Sequence, residues 1–288
     1  LDEKDWRILQ TVYQERNITK AAERLYISQP ALTYRIKQLE EEFNVRILLR
    51  GKRGVEFTPE GNHLVLYSNK MLADLRKTKE HLENMDTKIR GTLRLGVASI
   101  FARYELPEIL SAFLKEYPDV EIILKTGWSA DMHNLLQKEE THVGIIRGNY
   151  NWPGKKYLLN EEKLFVVSKN KINIEDLPEL SRINYKTDLT LKTITDTWWQ
   201  ETFDTPPKYT MEVDRIDTCI EMVLHGLGFA VVPEISLKGY HQLHRIEVSS
   251  KNKSEFSRRT WLIFNENSLE LSIVKAFVDF ILKREKNE

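Results

Sequence analysis

The residues of this 288-residue chain that could do chemistry fall in short polar and cationic stretches, not in any catalytic set. Ser99-Ile100-Phe101, Gly127-Trp128-Ser129 and Arg147-Gly148 each follow an apolar run that reads as a strand. In open α/β sheets, ligands bind beyond the carboxyl ends of strands, near helix N-termini whose free N–H groups favour anions. Ser129 is expected to cap a helix. Serine hydroxyls, helix starts and an arginine suit an anion, most simply a carboxylate. Ser99, Ile100, Trp128, Ser129 and Arg147 would form one wall, with Thr187 and Val231 opposite. Arg258 opens a later strand and could supply a second cation. For Arg147 an ordinary surface ion pair is an open alternative; for Arg258 it is the simpler reading. The two serines could also serve as plain helix caps.

Other reactive residue types point away from catalysis. The seven histidines are scattered, and His241 and His244 lack an evident third metal ligand. Cys219 shares a helical stripe with Met222 and Val223 and reads as an inert core thiol, and a single cysteine excludes an internal disulfide. Gly226 and Gly228 follow a helix and not a strand, unlike a dinucleotide loop. No metal, no cofactor and no enzymatic activity are expected.

A second chemical stretch is Thr19–Phe43, TKAAERLYISQPALTYRIKQLEEEF. It reads as two short helices with a tight turn. Thr19 is expected to cap the first, whose inner face is Ala21, Ala22 and Leu25, with Ile27 filling the corner. Ser28 caps the second, Gln29 begins it, and Pro30 sits in the first turn, where no N–H is needed. Leu32, Ile36, Leu39 and Phe43 then recur at helical spacing and face inward, while Thr33, Tyr34, Arg35 and Lys37 fall outward. This is a helix-turn-helix whose second helix can enter a DNA major groove. Gln29, Thr33, Tyr34 and Arg35 are the candidates for base edges or nearby phosphates. Arg50-Gly51-Lys52-Arg53-Gly54, followed by Val55-Glu56-Phe57, reads as a small β-hairpin wing carrying phosphate-directed cations. Thr19, Ser28, Pro30, Arg50, Lys52 and Arg53 complete the candidate DNA-facing set.

The chain resembles the LysR-type transcriptional regulators at these residues. The family pattern stands here as Ala21-Ala22, Leu25, Ser28-Gln29-Pro30-Ala31, Ile36 and Leu39-Glu40, continuing through Val45, Leu48 and Arg50 to Thr58-Pro59-Glu60-Gly61. Asn44 stands in place of the usual glycine, and is the next-best left-handed residue. Leu48 replaces a usual phenylalanine. The resemblance implies a regulator of double-stranded promoter DNA. It also implies linker helices that pair between subunits, a dimer of dimers, and an effector domain similar to periplasmic solute-binding proteins.

The positioning elements follow from periodicity. Asp5–Gln14 is a first helix with Trp6, Leu9 and Tyr13 or Val12 inward. From Thr58-Pro59 a helix runs to about Lys88 with a four-three seam through Leu64, Ser68, Met71, Leu75, Thr78, Leu82, Met85 and Ile89. The small head cannot bury that length, so the seam predicts a partner helix from a second copy. Leu64, Met71, Leu75, Leu82 and Met85 are the dimerisation candidates. Beyond Gly91, strands and helices alternate, which implies parallel pairing. One of the adjacent Trp198 and Trp199 should pack inward and the other lie on a contact surface. The expected fold is an N-terminal winged helix-turn-helix (1–58), a linker helix (59–90) and an α/β effector domain of two Rossmann-like subdomains (91–288). Subdomain I would hold about 91–162 and 266–288, and subdomain II about 163–265.

Composition sets wide limits. With 41% hydrophobic and 30% charged residues the chain is ordinary globular protein, and zero formal net charge confines any basic surface to local patches. No run is apolar enough to span a membrane and no signal segment opens the sequence, so the cytoplasm is expected. Two alternatives to a metabolite-sensing DNA-binding regulator stay open: a solute-binding or enzymatic α/β protein with a helical dimerisation arm, and a DNA-binding protein whose cleft is vestigial.

Overall fold

The computed structural model describes residues 1–51, 54–83, 88–249 and 256–285. The chain divides into two compact units, Leu1–Met85 and Asp86–Glu288.

In the first unit, α1 (Glu3–Glu15), α2 (Ile18–Arg24) and α3 (Gln29–Phe43) pack around Leu9, Val12, Ala21, Ala22, Leu32 and Leu39. Strands β1 (Leu48–Gly51) and β2 (Gly54–Phe57) form the antiparallel wing hairpin. Helix ends are set locally. Ser28 accepts from the Ala31 N–H at 3.3 Å to start α3, and Asn44 ends it with φ 50° and ψ 42°. Glu40 then accepts from the N–H groups of Ile47 (2.8 Å) and Leu48 (3.2 Å), which turns the chain into the wing. Thr58 accepts from the Gly61 N–H at 2.9 Å and begins α4 (Pro59–Glu83).

Several expectations need correction. Asn17, not Thr19, caps α2, with its side chain accepting from the Lys20 N–H at 3.1 Å; Thr19 is exposed inside the helix. Ile27 and Phe43 are exposed at 40% and 39%, because the α2–α3 corner closes on alanines and α3 overruns the core by one turn. On α1 the inner stripe is Asp5, Ile8, Leu9 and Val12; Trp6 is half-buried and Tyr13 lies outside. The seam of α4 is not wholly free, since α1 lies against its first part. Gln10 donates to Asn69 at 2.8 Å, and Ser68 is fully buried. Leu64, Met71 and Leu75 are half-buried, Leu82 is 60% exposed, and Met85 lies outside the described residues.

The second unit begins with β3 (Gly91–Ala98), α5 (Ser99–Tyr104), α6 (Leu106–Glu116), β4 (Val120–Gly127), α7 (Ser129–Gln137) and β5 (Val143–Arg147). A long β6 (Lys155–Ser168) leads to β7 (Arg182–Tyr185), α8 (Leu189–Thr202), β8 (Tyr209–Val213), α9 (Ile216–Leu224) and β9 (Ala230–Pro233). The chain closes with β10 (His244–Glu247), β11 (Ser257–Phe264) and α10 (Ser272–Glu285). Strand β3 pairs in parallel with β4 and β5, and β7 pairs in parallel with β8. The remaining pairings are antiparallel, beyond the alternating run from which parallel pairing is expected. Strand β11 is antiparallel to β5 and to residues 155–163 of β6, and β6 continues antiparallel to β9 and β10.

Two cores result, one around Leu93, Val97, Phe113, Leu262 and Phe277, the other around Val166, Ile183, Trp198, Cys219 and Phe229. Strand β11 pairs with β5, and its Leu262 and Phe264 join the first core ahead of position 266. Both Trp198 and Trp199 are buried, since each indole N–H reaches a carbonyl, of Ser249 (3.2 Å) and Thr205 (2.8 Å) respectively. Burial pushes the Cys219 thiol up to about 12, which leaves it inert. The two glycines between α9 and β9 turn helix into strand as expected. At Gly228 (φ +158°) an added Cβ would lie 2.3 Å from the Ser181 carbonyl oxygen. Gly228→Ala should therefore destabilise this unit by about 2 kcal/mol or more in urea unfolding, through backbone strain and overpacking.

Candidate functional site

The outward face of α3 is narrower than its sequence suggests. Ser28, Gln29 and Pro30 are exposed at its start, and Tyr34 is 64% exposed one turn on. The Thr33 hydroxyl is shut off from solvent. Arg35 is held from behind. Its Nε and Nη2 donate to the two carboxylate oxygens of Asp5 at 2.6 and 2.7 Å, and its Nη1 to Gln38 at 2.9 Å. Asp5 is 1% exposed and also accepts from the Asp2 N–H in the capping box of α1. Lys52 and Arg53 lie outside the described residues, as does the side chain of Arg50.

A cavity of roughly 370 Å³ opens between the two subdomains of the second unit. It brings together Ser99, Ile100, Trp128, Ser129, Arg147, Thr187 and Arg258. Val231 does not line it. That residue is buried, and its carbonyl accepts from the Tyr185 hydroxyl at 3.2 Å, so Tyr185 takes its place on the wall. The starts of α5, α7, α8 and α9 all border the cavity. Of these, α5, α7 and α9 have no side-chain cap, whereas Asp188 caps α8 by accepting from the Leu191 N–H at 3.0 Å. Ser129 is the first helical residue of α7, with Trp128 at the capping position. The Ser129 hydroxyl accepts from the Arg147 N–H at 3.0 Å and is turned to the β5 end instead of to its own helix.

The cavity floor carries charge. Arg147 is 1% exposed and pairs with buried Glu162 of β6; Arg258 is 3% exposed and pairs with Asp188. Glu162 also accepts from the Ile235 N–H at 2.7 Å. Burial, and then the like charge of Arg258, hold the Arg147 guanidinium below its usual value. Neither arginine is the surface ion pair that the sequence left open. At the mouth, Asp217 of α9 accepts from Arg103 (2.6 Å) and Tyr104 (3.1 Å) of α5, forming a clasp across the cleft. Sequence reading missed Glu162, Asp188, Tyr185 and this clasp. Glu162 has a visible signal, since it shares strand parity with buried Leu164 and Val166. Among the described residues no cluster of His, Cys, Asp or Glu could hold a metal, and no helix is long and apolar enough to cross a membrane.

A winged helix-turn-helix followed in one chain by a two-lobed α/β domain with a cleft lined by buried arginines defines a DNA-binding regulator with a built-in effector domain. Comparison with known proteins gives the particular family. Residues 4–62 match the bacterial regulatory helix-turn-helix protein, lysR family, and residues 87–286 match the LysR substrate binding domain. The chain is 44% identical over 281 residues to the HTH-type transcriptional regulator YraN of Bacillus subtilis, covering 98% of this chain and 97% of that protein. It is 36% identical over 280 residues to YkuM of the same organism, with 96% of each covered. In structure it is similar to full-length CbnR complexed with its target DNA (TM-score 0.69, 16% identity, 99% and 100% of the two chains). It is also similar to the Vibrio cholerae virulence activator AphB (TM-score 0.63, 19% identity, 98% and 99%). The chain belongs to the LysR family of helix-turn-helix transcriptional regulators. It is a DNA-binding transcriptional regulator with an effector-binding domain, and not an enzyme.

The Asp5–Arg35 pair gives the head a pH dependence. Burial pushes the Asp5 carboxyl up, but the Arg35 and Asp2 hydrogen bonds outweigh it and leave the value lowered. A lowered carboxylate contributes stability that is complete above the ordinary aspartate value of about 4 and is lost as pH falls through the folded value. The calorimetric transition of the N-terminal unit should fall steeply in that acid window, and Asp5→Asn should flatten the fall. At neutral pH, Arg35→Ala should cost this unit about 2–3 kcal/mol, the scale of hydrogen bonds to a buried charge.

Proposed function

We propose that the protein, as a homodimer or a dimer of dimers acting in the cytoplasm, reads promoter DNA through the start of α3 and answers to a small carboxylate in the cleft. The observation that carries the effector reading is the floor of two buried arginines facing a cavity bordered by the uncapped starts of α7 and α9. Free N–H groups and helix dipoles favour an anion there, and guanidinium forks suit carboxylate. Ser99, Ile100, Trp128, Ser129, Arg147, Thr187 and Arg258 are the proposed contacts.

On DNA, Gln29 and Tyr34 are best exposed for base edges, with Thr19, Ser28, Pro30, Arg50, Lys52 and Arg53 near the backbone. Arg35 orients α3 through Asp5 and can still meet a phosphate with its 37% exposed side chain. Exposed Leu82 on α4, together with half-buried Met71 and Leu75, supports pairing of that helix with a second copy. An effector acts by differing in affinity for two arrangements of the regulator, which biases one over the other on DNA.

Gel-shift titration against the chain's own upstream region tests this reading. Binding should weaken steeply with salt and prefer that duplex over random sequence. Gln29→Ala or Tyr34→Ala should each remove about 1–3 kcal/mol of that preference. Arg147→Gln should spare DNA binding and lose the melting-temperature rise given by dicarboxylates or tricarboxylates. Equal affinity for specific and random duplex, with and without these acids, would overturn the reading.

A further inference from the structure

We propose that Asp188 is a resident counter-anion of the cavity: it occupies Arg258 when the site is empty, and an entering carboxylate takes its place. The proposal rests on reading the cavity as the effector site, and it assigns Asp188 as the residue that sets which anions are admitted and how tightly.

Asp188 divides its carboxylate. One oxygen accepts the Leu191 N–H that starts α8, and the other meets a single nitrogen of Arg258. The Nε and Nη1 of Arg258 are buried with no hydrogen-bond partner. A guanidinium offers five N–H donors in a planar fork, and a free carboxylate can accept two in parallel. A ligand carboxylate can therefore satisfy Arg258 better than the tethered one, which is committed elsewhere by half.

Charge decides between joining and replacing. Arg147, Arg258 and Asp188 line the cavity, and Glu162, off the lining, is the buried partner of Arg147, so two guanidinium groups stand against two carboxylates. A further anion added to these four would leave excess negative charge where three of the side chains are at most 3% exposed, and the other cations on the lining, Arg103, Lys186 and Arg215, are solvent-exposed and offset it weakly. Exchange for Asp188 keeps the floor neutral. Glu162 cannot be the one that leaves, because it is 3% exposed and also receives the Ile235 N–H. Asp188 can: its side chain is 14% exposed, and it stands just ahead of α8, so rotation about its side-chain bonds carries the carboxylate to water. Its departure withdraws the cap from Leu191, so occupancy of the cavity is felt at the first turn of α8. Neutral amides and alcohols cannot make the exchange, since they would leave Arg258 buried without a counter-charge.

The test compares the full-length wild type with Asp188→Asn, which keeps the shape and is itself a good helix cap. Acetate, succinate and inorganic sulfate serve as probes, read by thermal shift and titration calorimetry. A resident competitor lowers apparent affinity by the fraction of time it holds the site. Asp188→Asn should therefore bind acetate, or succinate through one of its carboxylates, at least about tenfold more tightly than wild type. Arg258→Gln on the Asp188→Asn background should abolish that gain. Equal or weaker binding by folded Asp188→Asn, in a protein whose wild type does bind the probes, overturns the competitor role and leaves the effector reading standing. Absence of any response from both folded proteins overturns the effector reading and the proposal with it. Should Asp188→Asn fail to fold alone, recovery of folded protein on refolding in acetate or sulfate supports the proposal, and failure of both anions to rescue it overturns it.

Discussion

Two guanidinium groups cannot lie in a nearly dry floor without anions beside them, and the architecture of the second unit answers to that constraint. Arg147 stands at the end of β5, Glu162 and Arg258 face each other across the β6–β11 ladder, and Asp188 begins α8. Strand ends, the strand that crosses between the lobes and a helix start are thus brought to one point. The apolar cores on either side explain why the lobes are stable. The charges explain why the space between them is polar and selective, since each must be matched in kind as well as in size.

The same logic operates on a smaller scale in the head. Asp5 sits in the inner stripe of α1, where an apolar residue would be expected, and its two oxygens fix Arg35 across thirty positions of sequence. The pair sets the rotation of α3 against α1, so the exposed Gln29 and Tyr34 are presented at a fixed angle. A residue on the recognition helix can matter for DNA reading by holding the helix and not by touching a base.

What could be read from the sequence was what is decided locally. Ser28, Pro30, Asn44 and Thr58-Pro59 fix helix ends through their own backbone neighbours, and the structure has them doing so. Apolar runs located the strands, although β6 proved far longer than its apolar half, because its first half is paired and polar. Thr19 failed as a cap because Asn17, two residues earlier, had the better side chain for the task. Strand direction was not legible: β11 lies antiparallel to β5 only because the chain returns to the first lobe. The cavity was half legible. Strand ends and helix starts gave one wall, whereas Glu162 and Asp188 acquire meaning only from partners many positions away.

Strand β6 runs unbroken for 14 residues, its first part in one lobe's sheet and its last part in the other's. A continuous ladder of this kind resists sliding, because every step of slip would break backbone hydrogen bonds and turn side chains to the wrong face. It yields more easily to bending and added twist. Glu162 sits where the strand passes from one lobe's ladder to the other's. The strand shared by both lobes thus passes beside the charged floor, where Glu162 meets Arg147.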